Sequence, residues 1–330
     1  MRIKISVCIP VYKVEKLIER CARSLFEQTL AEGIEYIFVD DCSPDDSIGV
    51  LGRILLEYPN RKSQVRIVRH ERNLGLIAAR RSAIDVAQGD YIIHCDSDDA
   101  IDPSLYAKML ALAESKGLDV VVAPIKMIWP SGCMVIYESD CKTFEEYFRN
   151  CYATAGFNAM INKLIRKNIY DKTKIDVGEC RFHGEDLLQT TQLLLSCASI
   201  GFVHDTYYTY YRNEESGTMI DKDDRVGVDQ LLAVERVLDP KLSSSYPSAL
   251  NYFRHVCYMR VLRSCSFAAS EYQSLWPESR TYVALKSDKR LETYKKFLIL
   301  LCAHNYMIGM ILVRWLLWVQ YSVRKIREGR

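Results

Sequence analysis

The sequence predicts an α/β fold in which a mostly parallel sheet is covered by helices and followed by a helical C-terminal region. Two observations support this prediction. Short, β-branched runs alternate with helical patterns over residues 1–125, and the runs are apolar at nearly every position. Strands of that kind are buried on both faces, as they are in parallel sheets. From about residue 221 onward, the apolar pattern is helical.

The first strand is predicted at Ile5–Ile9, a short β-branched run that ends at Pro10. Apolar residues from Val14 to Leu25 recur at helical spacing and predict the first helix, which ends before Gly33. The same alternation then continues to a fifth strand. The other strands of this half are predicted at residues 36–39, 65–68, 91–95 and 120–122, with helices between them.

The helices of this half begin at capping and turn residues. Ser43-Pro44-Asp45 is expected to open the second helix, and the third is expected to run from about Gly75 to Ala87. Asp102 and Pro103 are expected to be the N-cap and the first helical residue of the fourth. Each helix has an apolar face that can cover the sheet.

Composition and charge exclude several classes of protein. The 330 residues are 49% hydrophobic and 26% charged, as in a globular protein with a substantial core. The formal net charge of +2 is too small to give the strong positive field that is typical of nucleic-acid-binding proteins. The 12 cysteines lack zinc-ligand spacing, and we interpret them as reduced core thiols of a cytoplasmic protein. The chain runs from Met1 straight into a predicted strand, so we expect no secretory signal.

Polar residues are concentrated at one predicted edge of the sheet. Ligands of open α/β sheets bind beyond the carboxyl ends of the strands, and residues 10–12, 40–45 and 96–99 follow such ends. The phosphate-binding sequences G-x-G-x-x-G after the first strand and G-x-x-x-x-G-K-[ST] are absent. A nucleotide bound at this edge would therefore need its phosphates neutralised by other groups.

The segment Asp96-Ser97-Asp98-Asp99 carries three carboxylates directly after the fourth strand. Carboxylates this close repel one another unless they bind a cation or are well solvated. Mg²⁺ and Mn²⁺ suit oxygen ligands, and such ions take one or two carboxylates together with substrate phosphate. The segment predicts either a divalent-cation site or a solvated turn in which Asp99 and Asp102 cap the next helix.

The order of the motifs resembles the inverting family-two glycosyltransferases of the GT-A fold, especially bacterial enzymes that build surface polysaccharide. Ser6–Tyr12 is similar to the first strand and nucleotide loop of that family. The match continues with V-D-D-x-S-x-D at residues 39–45, R-N-x-G…A-A-R at 72–80 and G-x-Y-I…D-x-D-D at 89–99. Asn162–Leu164, Gly184–Asp186 and Tyr210–Arg212 then follow in the family's order. The resemblance implies a Rossmann-like, nucleotide-binding sheet.

The resemblance also implies that the loops after the first two strands bind a nucleotide. Tyr12, preceded by Pro10, would lie against the base, and Asp41 would bond the polar edge of the base. Arg80 would lie close to the base or the diphosphate. Cys42 stands where the family commonly has Gly, which tolerates a positive φ that Cys does not readily adopt.

The matched segments supply further binding residues and the metal ligands. Asn73, Gly75 and Ser97 are predicted to line the nucleotide-sugar site, although Asn73 and Gly75 also suit a cap and a turn before a helix. Asp96 would reach the ribose or the metal, and Asp98 would bind the metal. The implied cofactor is a divalent cation, Mn²⁺ or Mg²⁺.

Asp186 is the candidate catalytic base. It follows Glu185 in the first turn of a predicted helix, where the helix dipole favours acidic residues in any case. The family places its catalytic carboxylate here, and attack by an acceptor hydroxyl at neutral pH requires a base. His183 is a rival proton acceptor, an acceptor-binding residue or a structural histidine.

The resemblance implies a glycosyltransferase that moves a sugar from a nucleotide-diphosphate sugar, with UDP as the favoured nucleotide, to a saccharide or lipid-linked saccharide. Residues 1–215 would form the catalytic domain, with a nucleotide-sugar half at 1–125 and an acceptor half at 126–215; residues 216–330 would form a helical region. A sugar nucleotidyltransferase is a second interpretation, although the chain lacks the glycine-rich basic loop of such enzymes. An inactive nucleotide-sugar binding module is a third.

The most apolar stretch, residues 297–319, is interrupted by His304, Asn305 and Arg314. A central Arg disfavours a membrane-spanning helix by roughly 2.5–3.5 kcal/mol on insertion scales. Trp315 and Trp318, followed by a basic end, suit a helix that lies on an anionic membrane surface. The sequence leaves two interpretations open: peripheral contact with the inner face of the cell membrane, or a helix packed on the catalytic domain.

Overall fold

The computed structural model describes residues 2–130, 132–137, 141, 143–180, 184–212, 224–264 and 267–327. His183, a rival proton acceptor in the sequence, lies outside these ranges. The chain divides into two compact units. The first unit comprises Met1–Tyr147, Thr154–Asp176 and Gln189–Ser216, and the second comprises Phe148–Ala153, Val177–Leu188 and Gly217–Arg330.

Strands and helices alternate through the first unit, and helices dominate the second. The strands are β1 (Ile5–Val11), β2 (Ile34–Asp40), β3 (Val65–Arg69), β4 (Tyr91–His94), β5 (Ala100–Ile101), β6 (Val120–Val122), β7 (Ile125–Trp129), β8 (Gly132–Ile136), β9 (Lys163–Arg166), β10 (Ile200–Phe202) and β11 (Tyr208–Tyr211). The α-helices are α1 (Ile18–Phe26), α2 (Ser47–Glu57), α3 (Leu76–Val86), α4 (Leu105–Lys116), α5 (Phe144–Cys151), α6 (Ala155–Asn158), α7 (Lys167–Lys172), α8 (Glu185–Leu194), α9 (Asp224–Leu242), α10 (Pro247–Ser264), α11 (Ala269–Ser274), α12 (Tyr282–Ser287), α13 (Thr293–His304) and α14 (Tyr306–Arg327).

The main sheet of the first unit has the strand order β10-β6-β9-β4-β1-β2-β3. The pairs β1/β2, β2/β3, β1/β4 and β6/β10 are parallel, because a helical crossover returns each strand to the same direction. β9 lies between β4 and β6 and is antiparallel to both. The predicted mostly parallel, helix-covered sheet is confirmed, and β9 is a strand that the sequence pattern did not reveal.

A buried lysine joins β9 to the segment that precedes it. The ammonium of Lys163 is enclosed and donates to the carbonyl oxygens of Gly156 and Ala159, each at 2.7 Å, and to Asn162 Oδ1 at 2.9 Å. The Asn162 amide in turn donates to the Ala123 carbonyl at 2.8 Å. Because a buried cation needs several acceptors, this part of the family motif is accounted for by the packing of the strand.

The tyrosine-rich strand β11 belongs to a smaller sheet of order β5-β11-β7-β8. It pairs in parallel with β7 and antiparallel with the short β5. β5 follows the acidic segment 96–99 directly, so the pairing brings the tyrosines of β11 to that segment.

Three predicted element ends are wrong. α2 begins at Ser47 and not at residues 43–45, because Ser43 and Asp45 hydrogen-bond each other in the preceding loop. α4 begins at Leu105 with Ser104 as its N-cap, and Asp102 instead uses its carboxylate to accept from the Tyr207 backbone N–H at 3.0 Å. β1 extends through Pro10 to Val11. β4 pairs with β1 only as far as the register partner Cys8, so the missing N–H of Pro10 costs that ladder no hydrogen bond.

The second unit has a helical core, as the apolar pattern predicted, built around Tyr258, Leu262 and Ile299. The predicted apolar stretch 297–319 is divided between α13 and α14 by Asn305, whose side chain accepts from the Ile308 backbone N–H at 3.2 Å. None of the helices in the described ranges has the length and apolar character needed to cross a membrane.

Candidate functional site

The loops after β1 and β2 are joined by a network centred on Asp45. Its carboxylate accepts from the Ser43 hydroxyl at 2.6 Å, from the Ser47 hydroxyl and from the Glu15 backbone N–H at 3.0 Å. Ser43 also accepts from the backbone N–H of Lys13 at 2.8 Å. Burial acts to raise the pKa of Asp45, but these hydrogen bonds outweigh it and lower the pKa to about 2. The Asp45 network therefore holds the two loops together.

This network supports two residues singled out in the sequence. Tyr12, directly after β1, is 40% exposed and has Lys13 Nζ 5.1 Å from its ring centroid. Cys42 has a φ of 57°, so the turn uses the left-handed conformation that Gly would adopt without strain. Pro10 lies half-buried in β1. An exposed aromatic ring beside the end of a strand can stack on a flat ligand.

Asp41 organises the turn that precedes α3. One carboxylate oxygen accepts from the Leu74 backbone N–H at 2.8 Å and lies 2.7 Å from His70 Nδ1, and the other accepts from the Gly75 N–H at 2.8 Å. The Asn73 amide donates to the Asp41 carbonyl at 3.4 Å. Asp41 is almost fully buried. The structure thus brings together Asp41, Asn73 and Gly75, as predicted for one site, with Asp41 holding the other two.

Helix α3 places Arg80 beside the acidic segment 96–99. The helix begins after Gly75, whose φ of 87° is open to Gly and strained for other residues. Arg80 is buried, and its Nη2 lies 3.3 Å from Asp96 Oδ1. Burial, and then the charge of Arg80, lower the pKa of His94 well below its usual range, so His94 is neutral and the cation is Arg80.

Asp99 anchors the acidic segment to β11. Asp99 is fully buried and accepts from the Tyr208 hydroxyl at 2.7 Å and the Tyr211 backbone N–H at 2.9 Å. Tyr208 also accepts from the Asp96 backbone N–H at 3.0 Å. Burial, followed by the charges of Asp96 and Asp98, raises the pKa of Asp99 well above its usual range. Asp99 therefore positions the segment and binds β11, and it does not cap the next helix.

Sequence reasoning missed Arg20, which holds the same segment from α1. Its guanidinium carbon lies 3.6 Å from the centroid of the Tyr211 ring, and its Nη2 donates to the Asp98 carbonyl oxygen. Arg20 is far from Asp98 and Tyr211 in the chain, and its helical position has no spacing signal that would connect the three. The contact is a product of the tertiary structure alone.

The carboxylates of Asp96 and Asp98 suit a divalent cation. Across the described residues, no cluster of three or more His, Cys, Asp or Glu side chains is arranged to hold a metal ion. Asp96 and Asp98 are half-buried, with the buried Ser97 between them. Mg²⁺ and Mn²⁺ use one or two carboxylates and complete their coordination with water and phosphate. The donor set therefore fits an ion that binds together with a phosphate-bearing ligand.

Asp186, the candidate base, lies in the first turn of α8 and belongs to the second unit. Gly184 before it has a φ of 99°, and an added Cβ would approach Val234 Cγ2 to 3.1 Å, so this helix start requires Gly. The predicted residues of the first unit gather at the carboxyl edge of its sheet. The role of Asp186 stays a prediction.

Comparison with known proteins identifies the family. The family model described as "Glycosyl transferase family 2" matches residues 6–182, which contain every segment of the sheet edge described above. The chain belongs to this family. It is a glycosyltransferase, as predicted, and not a sugar nucleotidyltransferase. The glycosyltransferase EpsJ of Bacillus subtilis, itself described as uncharacterized, is 38% identical over 268 residues, which cover 76% of this chain and 70% of EpsJ.

Solved structures share the fold of this glycosyltransferase. Residues 1–349 of TarS from S. aureus, crystallised with UDP-GlcNAc, superpose with a TM-score of 0.66 at 19% identity, over 99% of this chain and 93% of that one. The mannosyltransferase PcManGT from Pyrobaculum calidifontis, solved with GDP-Man and Mn²⁺, superposes with a TM-score of 0.54 at 12% identity, over 94% and 87% of the two chains. The predicted GT-A fold is confirmed.

Proposed function

We propose that this glycosyltransferase transfers a sugar from a nucleotide-diphosphate sugar, with UDP as the nucleotide, to an acceptor hydroxyl. The observation that carries this proposal is the contact between Arg80 and Asp96, with Asp98 two residues further along the same acidic segment. One buried cation and two half-buried carboxylates suit a diphosphate that arrives with a divalent ion. TarS with UDP-GlcNAc and PcManGT with GDP-Man and Mn²⁺ adopt the same fold, which supports the proposal.

The nucleotide would be held by the edge of the main sheet. Tyr12 offers an exposed ring for the base, and the turn that Asp41 organises would meet the base or ribose. Ser97, Asn73 and Gly75 would shape the same surface. We assign the nucleotide-sugar to residues 1–125 and the acceptor to 126–215 and the helical region 216–330. A saccharide or lipid-linked saccharide acceptor in surface-polysaccharide synthesis is consistent with this arrangement.

Asp186 would accept the proton of the attacking hydroxyl, an effect that is typically worth about 10²- to 10⁴-fold in rate. Arg80 would stabilise the charge that develops on the departing diphosphate. A divalent cation bound by Asp98, with Asp96, would supply further stabilisation of that charge. A single displacement of this kind inverts the anomeric configuration and needs no nucleophile from the protein.

The test is a panel of UDP-, GDP- and dTDP-sugars incubated with the purified chain in Mn²⁺, Mg²⁺ or EDTA, with released nucleoside diphosphate as the readout. We expect release from one donor, by slow hydrolysis when no acceptor is present, and loss of release in EDTA. Asp186→Asn should reduce turnover with acceptor by about 10²-fold or more. Glu185→Gln is the matched control, because it removes the neighbouring charge from the same helical turn.

The outcomes separate the parts of the proposal. Equal losses in Asp186→Asn and Glu185→Gln would assign the effect to the helix dipole and remove Asp186 as the base. Donor binding by calorimetry without turnover on any acceptor would favour an inactive binding module. Failure to bind every nucleotide sugar, with or without metal, would overturn the proposed donor site. The anomeric configuration of the product, read by NMR, tests inversion.

A further inference from the structure

Helix α14 is built into the core of the second unit along one face. Met310 and Val313 are buried in the apolar cluster that includes Ile299. Gly309 approaches α13 so closely that an added Cβ would lie 2.2 Å from Cys302 Sγ and 2.9 Å from its Cα. The backbone of α13 cannot yield to such a contact. The face that carries Met310 is therefore fully occupied by the protein itself.

The opposite face of α14 is also apolar, and it is exposed. At about 100° per residue, the exposed apolar residues fall within an arc of about 100°, and its centre lies about 140° around the helix from the midpoint between Met310 and Val313. Apolar side chains on a surface helix otherwise face the core, and a contiguous exposed set marks a binding surface. This face comprises Met307 (70% exposed), Ile308 (55%), Ile311 (66%), Trp315 (55%) and Trp318 (66%).

The charges of the helix indicate what this face binds. The sequence of α14 contains four basic residues and no Asp or Glu. Arg314 is exposed at the margin of the apolar face, and the other three basic residues, Arg324, Lys325 and Arg327, follow it along the helix. Two of the four tryptophans in the chain lie on the face, and Trp favours the boundary between lipid headgroups and acyl chains.

We propose that the exposed face of α14 binds the surface of an anionic lipid membrane. The helix would lie in the interface, with Trp315 and Trp318 at the acyl boundary and Arg314 among the headgroups. A symmetric pairing of two copies through this face would set one basic helix against another without acidic partners, which is unfavourable. α14 packs within the second unit through one face and would meet lipid through the other.

The test is co-sedimentation of the full chain with vesicles of phosphatidylcholine alone and of phosphatidylcholine with phosphatidylglycerol. We expect binding to the anionic vesicles that weakens as salt is raised. Trp315→Glu with Trp318→Glu should reduce the partition coefficient by about tenfold or more, since two large apolar side chains are lost from the contact. Val283→Glu is the matched control, because Val283 is 75% exposed on α12 of the same unit and should bind as the unchanged chain does.

Circular dichroism melting of each variant ensures that folded proteins are compared in the vesicle assay. Ile311→Glu is a second, independent change on the same face and should also weaken vesicle binding. Equal binding by the tryptophan variant and the unchanged chain would overturn the proposal, as would an absence of binding to anionic vesicles. A concentration-dependent dimer that the same variant abolishes, without vesicle binding, would assign the face to a second copy instead. Vesicle binding needs no donor, so its failure is distinct from a failure of the proposed glycosyl transfer.

Discussion

Two acidic loops at the same edge of the main sheet contain carboxylates whose pKa values are shifted in opposite directions. In the loop after β2, hydroxyl and backbone donors surround Asp45 and lower its pKa to about 2. In the loop after β4, burial and the neighbouring charges of Asp96 and Asp98 raise the pKa of Asp99. The two loops have similar sequences, because each follows an apolar strand and combines Asp with Ser, and in the first loop also with Pro.

The difference separates a scaffold from a binding site. Carboxylates that are saturated with donors stabilise the loop that contains them and have little to offer a cation. Carboxylates that crowd one another are relieved when a cation binds. We therefore expect changes in the loop after β2 to lower stability, and changes at Asp98 to lower activity.

The largest expected effect is at Asp98. Asp98→Asn should reduce nucleoside diphosphate release by about 10³-fold, because a ligand that offsets the leaving-group charge is lost. Its free energy of unfolding without metal should be unchanged within about 1 kcal/mol, since removal of a like charge relieves Asp99. Initial rates and urea denaturation measure the two quantities. Asp205→Asn, which alters an exposed ion pair with Lys108, should match the unchanged chain in both, and a stability loss in Asp98→Asn without an activity loss would erase the difference between the loops.

Asp41→Asn should give the largest loss of stability in the loop after β2. In the native protein, the backbone N–H groups of Leu74 and Gly75 donate to the Asp41 carboxylate. In the variant, a side-chain NH₂ group replaces one of the two accepting oxygens, so we expect the free energy of unfolding to fall by about 2–3 kcal/mol. Urea denaturation measures this change, and calorimetry measures donor affinity. Unchanged stability with weaker donor binding would show that Asp41 is a ligand contact rather than part of the scaffold.

Asp45→Asn tests the pH dependence of the scaffold. The pKa of Asp45 falls from 3.8 to about 2 on folding, so its contribution is fully present above pH 4 and is lost as the pH falls toward 2. The variant should be less stable by about 1 kcal/mol at pH 7. Denaturant midpoints at pH 7, 5 and 3 should converge as the pH falls, and a constant gap would assign the effect to packing.

The smallest expected effect is at Cys42. Replacement by Gly should raise the free energy of unfolding by about 0.5 kcal/mol, because Gly relieves the strain of a φ of 57° but adds flexibility to the unfolded chain. Cys42→Ala keeps the strain and should leave stability unchanged. Thermal melts of the three proteins distinguish the cases, and equal gains for Gly and Ala would point to the thiol.

The sequence by itself determined the alternating strands and helices of residues 1–125 and the order of the motifs. Strands such as Ile5–Val11 and Ile34–Asp40 are short apolar runs, and their burial on both faces follows from their local composition. Because ligands lie beyond the carboxyl ends of parallel strands, the sequence alone places Asp41, Asp96 and Asp98 at the ligand-binding edge of the sheet. Local patterns were sufficient because each belongs to a single strand or loop.

Only the tertiary structure decided which of these groups are engaged. The insertion of β9 between β4 and β6, the anchoring of Asp99 by Tyr208 and the contact of Arg20 with Tyr211 all join residues that are distant in the chain. Hydrophobic periodicity states which side of an element is buried but does not state which element covers it. For the same reason, the sequence of α14 offered two interpretations, and its packing through Met310 with Trp315 exposed on the opposite face required the folded chain.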